Sequence, residues 1–277
     1  MNDRWTRFRR HRPAVISLAV VSLLGACCLA APLLAPYPLD AINLESLRAP
    51  PSAAHLMGTD DLGRDVFTRL LYGGRISITI GLLAALVGTG LGALIGAVAG
   101  FLGRRVDAVL MRFTDVAFAI PTLPLLIVLS GYSRAALVSM IVIIGGLSWM
   151  GTARVVRSEV LTIRAMPYLE AARALGAAPV TMIRRHALPN ALGPLIVGAT
   201  LAVGNAIMIE SSLSFLGLGV QPPTPTWGNM LMDSQATMAS KPWLTLFPGT
   251  AILLVVLAIN FIGEGLREAQ DPRGGGN

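Results

Sequence analysis

The chain has 277 residues and a formal net charge of +7; 54% of its residues are apolar and only 13% are charged. Its mean hydropathy is +0.66, and soluble domains carry about 25% charged residues, so the composition excludes a protein that faces water on all sides. The positive charge does not indicate nucleic-acid binding, because the arginines lie in short loops beside apolar runs and not on one basic face.

Six apolar runs have the length and composition expected of membrane-spanning helices, which need roughly 20 mostly apolar residues. The third run is interrupted by Arg112, Asp115 and two prolines, and the fourth run is short. The sequence therefore predicts an all-α, polytopic membrane protein. Its spans are predicted at about 14–35, 76–101, 107–130, 136–153, 191–217 and 247–266.

The basic residues predict the orientation of these spans. With the N-terminus inside the cell, 16 of the 22 basic residues fall on the cytoplasmic side and 6 on the outer side. This excess is the positive-inside bias of a plasma-membrane protein, so both termini are predicted to be cytoplasmic. The six outer residues are Arg48, Arg64, Arg69, Arg75, Arg134 and Lys241.

The first span has two interpretations. An arginine-rich start, an apolar run and the sequence Leu-Gly-Ala-Cys ending at Cys27 are similar to a lipoprotein signal in which Cys27 is lipidated. The apolar run continues through Leu34 and five more spans follow, which favours an uncleaved anchor. Cys27 and Cys28 are adjacent and are expected to act as small apolar side chains, with no disulfide or metal-site spacing around them.

A polar turn, MGTDDLGRD at 57–65, follows the first span on its outer side. Carboxylates and arginines in such a turn ordinarily pair to stabilise it. An amphipathic helix is predicted after the turn, with Thr59 or Asp60 as its N-terminal cap. Its apolar positions are Leu62, Val66, Leu70 and Gly73.

Two features of the next spans concern packing. In the second span a glycine recurs at every fourth residue, which lets another helix approach closely along one stripe. The partner helix can belong to this chain or to another subunit. In the third span Pro121 and Pro124 predict a bend, since each proline removes a backbone donor; neighbouring helices or a water-filled cavity can satisfy the freed carbonyls. The stripe consists of Gly88, Gly92, Gly96 and Gly100.

Residues 170–190, EAARALGAAPVTMIRRHALPN, form a polar loop between the fourth and fifth spans. Pro167 suits a first helical position, where its missing N–H has no cost. Glu170 then lies in the first turn, and Gly176 lies where a left-handed residue ends a helix. The pattern predicts a short helix, a turn and a second helix. The first helix has one apolar face of Tyr168, Ala171, Ala172 and Leu175, with Arg173 toward its end.

Glu210 is the one carboxylate placed well inside a span, where a charge costs on the order of 3 kcal/mol or more. Two interpretations are equally weighted: Glu210 lines a pathway or its gate, or it is a structural acid that ties helices together. Asp115, nearer a helix end, is expected to pair with Arg112 or with a neighbouring loop arginine. The polar neighbours of Glu210 in sequence are Asn205, Ser211, Ser212 and Ser214.

These segments carry a resemblance to a known family. The loop with Glu-Ala-Ala at 170–172, Gly176 and Leu-Pro at 188–189 resembles the EAA loop of the membrane subunits of ATP-binding-cassette importers. The outer turn at 57–65, the segment SFLGLGVQPPTPTWG at 214–228 and the tail at 265–272 are similar to those of permeases in the dipeptide, oligopeptide and nickel importer group. The resemblance runs from about residue 12 to residue 273 and matches the second permease of that group.

The resemblance implies a type I importer permease with a MetI-like core. Residues 1–75 would be the N-terminal segment, first span and outer loop, residues 76–268 the five-helix core with a docking loop at about 158–190, and residues 269–277 the cytoplasmic tail. By the same resemblance, the subunit forms half of a pathway for di- or oligopeptides, in a bacterial plasma membrane; nickel, glutathione or another small solute remain alternatives. ATPase-docking residues would be Tyr168, Glu170, Ala171, Ala172, Arg173, Leu175, Gly176, Leu188 and Pro189.

The implied partners are a second homologous permease, two ATPase subunits or domains, an extracytoplasmic binding protein and the lipid membrane. ATP and magnesium would be bound by the ATPases, because the chain has no glycine-rich Gly-Lys-Ser/Thr motif for phosphates and no catalytic motif. The chain itself is therefore not expected to be an enzyme or to bind a cofactor. Two other classes stay open: a stand-alone secondary carrier, which should show inverted repeats and intramembrane charged pairs, and a non-transporting scaffold.

Overall fold

The computed structural model describes residues 2–132, 137–169, 176, 179–183, 185 and 188–270. Over these residues the fold is all-α, as predicted; the extended backbone there amounts to one isolated bridge between Thr59 and Asp65. The helices are α1 (Asn2–Arg10), α2 (Arg12–Leu29), α3 (Ala31–Leu34), α4 (Val66–Leu102), α5 (Arg104–Ala119), α6 (Thr122–Tyr132), α7 (Leu137–Gly146), α8 (Trp149–Arg164), α9 (Pro179–Met182), α10 (Leu188–Phe215), α11 (Trp227–Ser234) and α12 (Trp243–Gln270).

Four membrane spans, or six if each of two bent helix pairs counts as one span, can be assigned to the described helices. Four are single helices, α2, α4, α10 and α12, each long and apolar enough to cross a bilayer. The other two are bent pairs: α5 and α6 meet at 82°, and α7 and α8 meet at 43°. The α5–α6 break lies at Ile120 and Pro121, so the bend predicted from the prolines of the third span is confirmed.

The start of α4 corrects the prediction for the outer segment. The amphipathic helix expected there is the first part of α4, which begins at Val66 and continues through the second span without a break. Its cap is Asp65, whose carboxylate accepts a hydrogen bond of 2.8 Å from the Thr68 N–H, so the prediction of Thr59 or Asp60 was wrong. Gly63, with φ +74°, makes the turn immediately before the cap.

The fourth span also extends further than predicted, because α8 continues to Arg164 and not to residue 153. Beyond Ala153 this helix is amphipathic and not uniformly apolar. Val156, Val160 and Ile163 are buried on one face, while Arg154 is exposed on another. The run of apolar residues ends within the helix, so hydropathy alone placed its end too early.

Helix α4 lies at the centre of the bundle and packs on α2, α7, α8 and α10. A Cβ added to Gly92 would lie 2.6 Å from the carbonyl oxygen of Trp149, and one added to Gly96 would collide with that of Ala153. The glycine stripe of α4 therefore packs directly on the backbone of α8. The close helical partner predicted from the stripe is confirmed, and it belongs to this chain.

Different helices pack together at the two ends of the bundle. At one end Phe8 and Ala14 pack against Ala269 near the end of α12, so the N-terminal helix and the end of α12 lie together. At the other end Val66, Met230 and Leu244 form a cluster that joins the starts of α4 and α12 to α11. Both described terminal segments thus share one end of the molecule, as an even number of spans requires.

Candidate functional site

The candidate docking loop, predicted at about 158–190, leaves α8 at Arg164. The chain turns after Arg164, and residues 167–169 are helical again, as Pro167 predicts. Tyr168 is 45% exposed, whereas the next residue, Leu169, has no exposed surface. The start of the loop is therefore anchored in the core by one side chain and presents the neighbouring one on the surface.

A second anchor follows on the other side of the turn. Met182, at the end of α9, is 1% exposed and belongs to the same apolar cluster as Leu169. Phe101 of α4, Val160 of α8 and Leu195 of α10 complete this contact. The loop is therefore packed directly on the ends of three helices, α4, α8 and α10.

Gly176 lies at the turn between these anchors. Its φ is +83° and it is exposed, and a Cβ added to it would meet no atom within 4 Å. The left-handed conformation predicted for this residue is confirmed. A side chain at this position is disfavoured by backbone conformation and not by lack of space.

The remaining residues predicted to dock an ATPase divide into two sets. Pro189 is exposed at the start of α10, and of Leu188 only the backbone, which is helical, is described. The others lie outside the described residues. They are Glu170, Ala171, Ala172, Arg173 and Leu175.

Ion pairs join α5 to α8 beside the docking loop. The Arg157 guanidinium donates two hydrogen bonds to Asp107, one of them 2.6 Å from Nη2 to Oδ2. Arg154 Nη2 donates to Asp115 Oδ1 at 2.7 Å. Asp115 therefore pairs with an arginine near the loop, one of the two alternatives that the sequence left open, and not with Arg112.

Glu210 is fully buried, and both of its carboxylate oxygens accept hydrogen bonds. Ser214 Oγ donates to Glu210 Oε1 at 2.7 Å, and Ser77 Oγ of α4 donates to Oε2 at 3.0 Å. Ser211 Oγ lies 3.5 Å from Oε2. The side chain of Asn205 is exposed, and no hydrogen bond joins it to this carboxylate within the described part of the chain. The structure thus brings Ser211 and Ser214 to Glu210, but not Asn205.

The Glu210 network extends to α11 at one end of the bundle. Ser77 Oγ also accepts a hydrogen bond of 3.2 Å from the Trp227 N–H, the first residue of α11. A Cβ on Gly228 would lie 2.6 Å from the Ser214 Cβ, so α11 packs directly on α10 here. In this conformation Glu210 joins α4, α10 and α11 and has no surface in a cavity, a geometry that favours the structural interpretation.

A buried ion cluster lies at the end of the bundle that carries α11, and the sequence did not predict all of its members. Arg69 is 2% exposed; its Nε lies 3.4 Å from Asp60 Oδ2 and its Nη2 3.9 Å from Asp233 Oδ2. Asp60 also accepts from Arg64 Nε at 2.7 Å. Burial raises the pKa of the Asp233 carboxyl, and the positive charge of Arg69 opposes that rise. The pairing of turn acids and arginines was expected, but Asp233, far away in sequence, was not.

Two protein-family models match this chain. A family model described as binding-protein-dependent transport system inner membrane component matches residues 92–274. A second model, described as the N-terminal TM domain of oligopeptide transport permease C, matches residues 1–51. Together the two models cover both the core and the first span.

Individual relatives match over nearly the whole chain. The chain is 43% identical over 269 residues to a putative peptide permease protein of Brucella suis, covering 96% of this chain and 89% of the relative. It is 40% identical over 272 residues to the dipeptide transport system permease protein of Bacillus subtilis, covering 98% and 85%. A solved structure titled as inward-facing conformations of the MetNI methionine ABC transporter is similar in fold. Its TM-score is 0.55 at 18% identity, and the match covers 74% of this chain and 98% of that chain.

Proposed function

Because the chain belongs to the family of binding-protein-dependent transport system inner membrane components, we propose that it forms half of the translocation pathway of an ATP-driven importer. The relatives named as peptide and dipeptide permeases support di- or oligopeptides as the cargo. An extracytoplasmic binding protein would deliver the peptide to the end of the bundle that carries α11. Two ATPase subunits or domains would bind ATP and magnesium at the opposite end, which would be cytoplasmic and where the two described terminal segments lie. A second homologous permease would complete the pathway.

The observation that carries this mechanism is the double anchoring of the docking loop. Leu169 and Met182 fix the loop to a cluster shared by α4, α8 and α10. When the ATPases close around ATP, they would pull on the loop and move these helices as one packed unit. Movement of rigid elements between two discrete arrangements is how such assemblies switch, and here it would alternate the pathway between its two sides.

Substitution of Gly176 tests the proposed coupling between this loop and an ATPase. In Gly176→Val the turn must hold a β-branched residue at φ +83°, which costs about 1–3 kcal/mol of strain, so the turn adopts another conformation. We expect the variant to insert normally and to lose at least about nine-tenths of ATP-dependent peptide uptake, with weaker retention of the ATPase on purification. Uptake is measured in proteoliposomes that contain the complete importer and its binding protein.

Two matched variants separate conformation from bulk. Gly151→Val adds the same side chain at an exposed position of α8 where a Cβ also meets nothing within 4 Å, and uptake should be retained. Gly176→Asn should keep most uptake, since asparagine tolerates the left-handed region. Normal import by Gly176→Val would show that this turn has no coupling role.

Co-purification distinguishes the importer from the other two classes. A mild-detergent preparation of the tagged chain should contain a second permease and ATPases, and uptake should require ATP. A chain that is purified alone and transports without ATP would be a secondary carrier, and one that transports nothing would be a scaffold. Identifying the binding protein and measuring its ligands by calorimetry then separates peptides from nickel, glutathione or another solute.

A further inference from the structure

An apolar groove of about 420 Å³ runs between α2, α4, α10 and α12; Glu210, Leu169 and Met182 do not line it. Its walls include Leu29, Leu82, Val203 and Val255. The spans that form it cross the bilayer, so a gap between them meets lipid and not bulk water. An apolar cavity does not hold water stably, and leaving it empty forfeits the dispersion contacts of its lining. A hydrocarbon chain fits this lining.

One cationic side chain, Arg75 of α4, lines the groove. Its guanidinium lies over the ring of Tyr72, 5.8 Å from the ring centroid. Among the described residues no carboxylate lies within ion-pair distance of Arg75, in contrast to the buried Arg69. Arg75 also lines a second cavity, whose other lining residues include Asp40 and Tyr72. Its side chain therefore borders both an apolar cavity and a more polar one.

The depth of Arg75 in the bilayer follows from α2. This helix has 18 residues and is about 27 Å long at 1.5 Å per residue, close to the roughly 30 Å of a hydrocarbon core. Its last residue, Leu29, lines the groove together with Arg75. Arg75 therefore lies near the boundary between hydrocarbon and headgroups, where guanidinium binds phosphate oxygens through paired hydrogen bonds.

We propose that this groove is a phospholipid-binding site, with the lipid phosphate on Arg75 and one acyl chain along the apolar wall between α2, α4, α10 and α12. A phospholipid supplies both groups that would complement this site: an anionic phosphate for Arg75 at headgroup depth, and a hydrocarbon chain for the apolar wall below it. The bound lipid seals the contact between the first span and the core. This inference is independent of the transported substrate.

The test uses the chain purified with its partners and counts bound 1-palmitoyl-2-oleoyl-phosphatidylglycerol by native mass spectrometry across a lipid titration. Arg75→Gln removes the phosphate ligand, and the first lipid should bind at least about tenfold more weakly. Gly25→Leu fills the groove from α2. Gly25 lines it and a Cβ there meets nothing within 4 Å, so the added side chain occupies the lipid position without disturbing the fold and should weaken binding similarly.

Each variant has a control outside the groove. Arg112→Gln removes an exposed arginine of α5, and Gly90→Leu adds the same bulk at an exposed glycine of α4 with no neighbour within 4 Å; both should bind lipid like the wild type. Unchanged lipid binding in both Arg75→Gln and Gly25→Leu would overturn the proposal. The proposal would also be overturned if millimolar inorganic phosphate displaced all bound lipid while Gly25→Leu left lipid binding unchanged. That result would indicate a site for free anions. Loss of the second permease in Gly25→Leu at an unchanged lipid count would show that protein covers the groove.

Discussion

Two ionisable side chains, Arg69 and Glu210, lie among the helices with at most 2% exposure, and the chain stabilises them by different means. Arg69 is met by carboxylates from the outer turn and from α11. Glu210 is met by serine hydroxyls from its own helix and from α4. An unpaired buried charge is costly, so each arrangement depends on side chains that the fold brings from elsewhere.

The acid nearest Arg69 should therefore matter for stability. Asp60→Asn keeps the side-chain shape but leaves the guanidinium with only Asp233, at 3.9 Å. We expect a loss of about 3 kcal/mol in unfolding free energy, the low end for breaking a buried ion pair. Denaturant unfolding followed by tryptophan fluorescence measures it.

The adjacent residue provides the control. Asp61 pairs with Arg48, and both side chains are more than a third exposed, so solvent screening leaves this pair little effect. Asp61→Asn should unfold like the wild type. Equal losses in the two variants would mean that the cluster around Arg69 has no special importance.

Glu210 can be assigned to a structural or a gating role by two substitutions. Glu210→Gln still accepts one serine hydrogen bond and donates another, so it should keep both stability and peptide uptake. Glu210→Ala removes both acceptors and leaves a cavity, which should cost about 2–4 kcal/mol. A Glu210→Gln variant that is as stable as the wild type but inactive in uptake would show that the negative charge itself is functional.

At the scale of elements, α4 organises the bundle. It has 37 residues and is about 55 Å long, so it extends beyond the membrane and carries both the outer ion cluster and the seam with α8. The seam needs glycine because the carbonyl groups of α8 occupy the space where side chains of α4 would lie. Helices α5, α7 and α8 then pack against this central helix.

The seam is tested by placing the same side chain on and off it. In Gly96→Leu the side chain collides with the backbone at Ala153, so the two helices must separate; we expect a loss of about 3 kcal/mol. Gly90→Leu, on the exposed face of the same helix, should change stability by less than about 0.5 kcal/mol. Thermal unfolding of the two purified variants compares them, and similar midpoints would exclude a stabilising role for the close approach.

For the molecule as a whole, the proposed function assigns different roles to the two ends of the bundle. One end carries α1, the end of α12 and the docking loop; the other carries the outer turn and α11. Since Leu169 and Met182 tie the loop to α4, α8 and α10, while Ser77 and Glu210 tie α4 and α10 to α11, packed contacts join the two ends. This continuity is what an importer that links an ATPase to a pathway requires.

The proposed orientation can be measured by cysteine labelling in a background with Cys27 and Cys28 replaced by alanine. Cysteines at exposed Arg9 and Glu268 should react with a membrane-impermeant maleimide only in inside-out vesicles. Cysteines at the exposed outer-loop residues Ser52 and Gln221 should react only in right-side-out vesicles. The reverse pattern would place the docking loop outside the cell and refute the proposed coupling to an ATPase.

The sequence by itself determined the features that depend on composition or on local backbone. The membrane environment, the six apolar runs, the bend at Pro121, the stripe of glycines and the left-handed Gly176 all follow from the residues concerned and their near neighbours. Span boundaries were predicted less well, since α4 and α8 continue as amphipathic helices beyond their apolar runs.

The tertiary structure alone decided which groups meet. Ser77 and Glu210 are 133 positions apart, and Ser77 and Trp227 are 150 apart. No periodicity or local propensity connects such residues, because their contact depends on how whole helices pack. The same reason explains why the stripe of α4 indicated a partner without identifying α8, and why the Arg69–Asp233 pair and the groove beside Arg75 emerged only from the folded bundle.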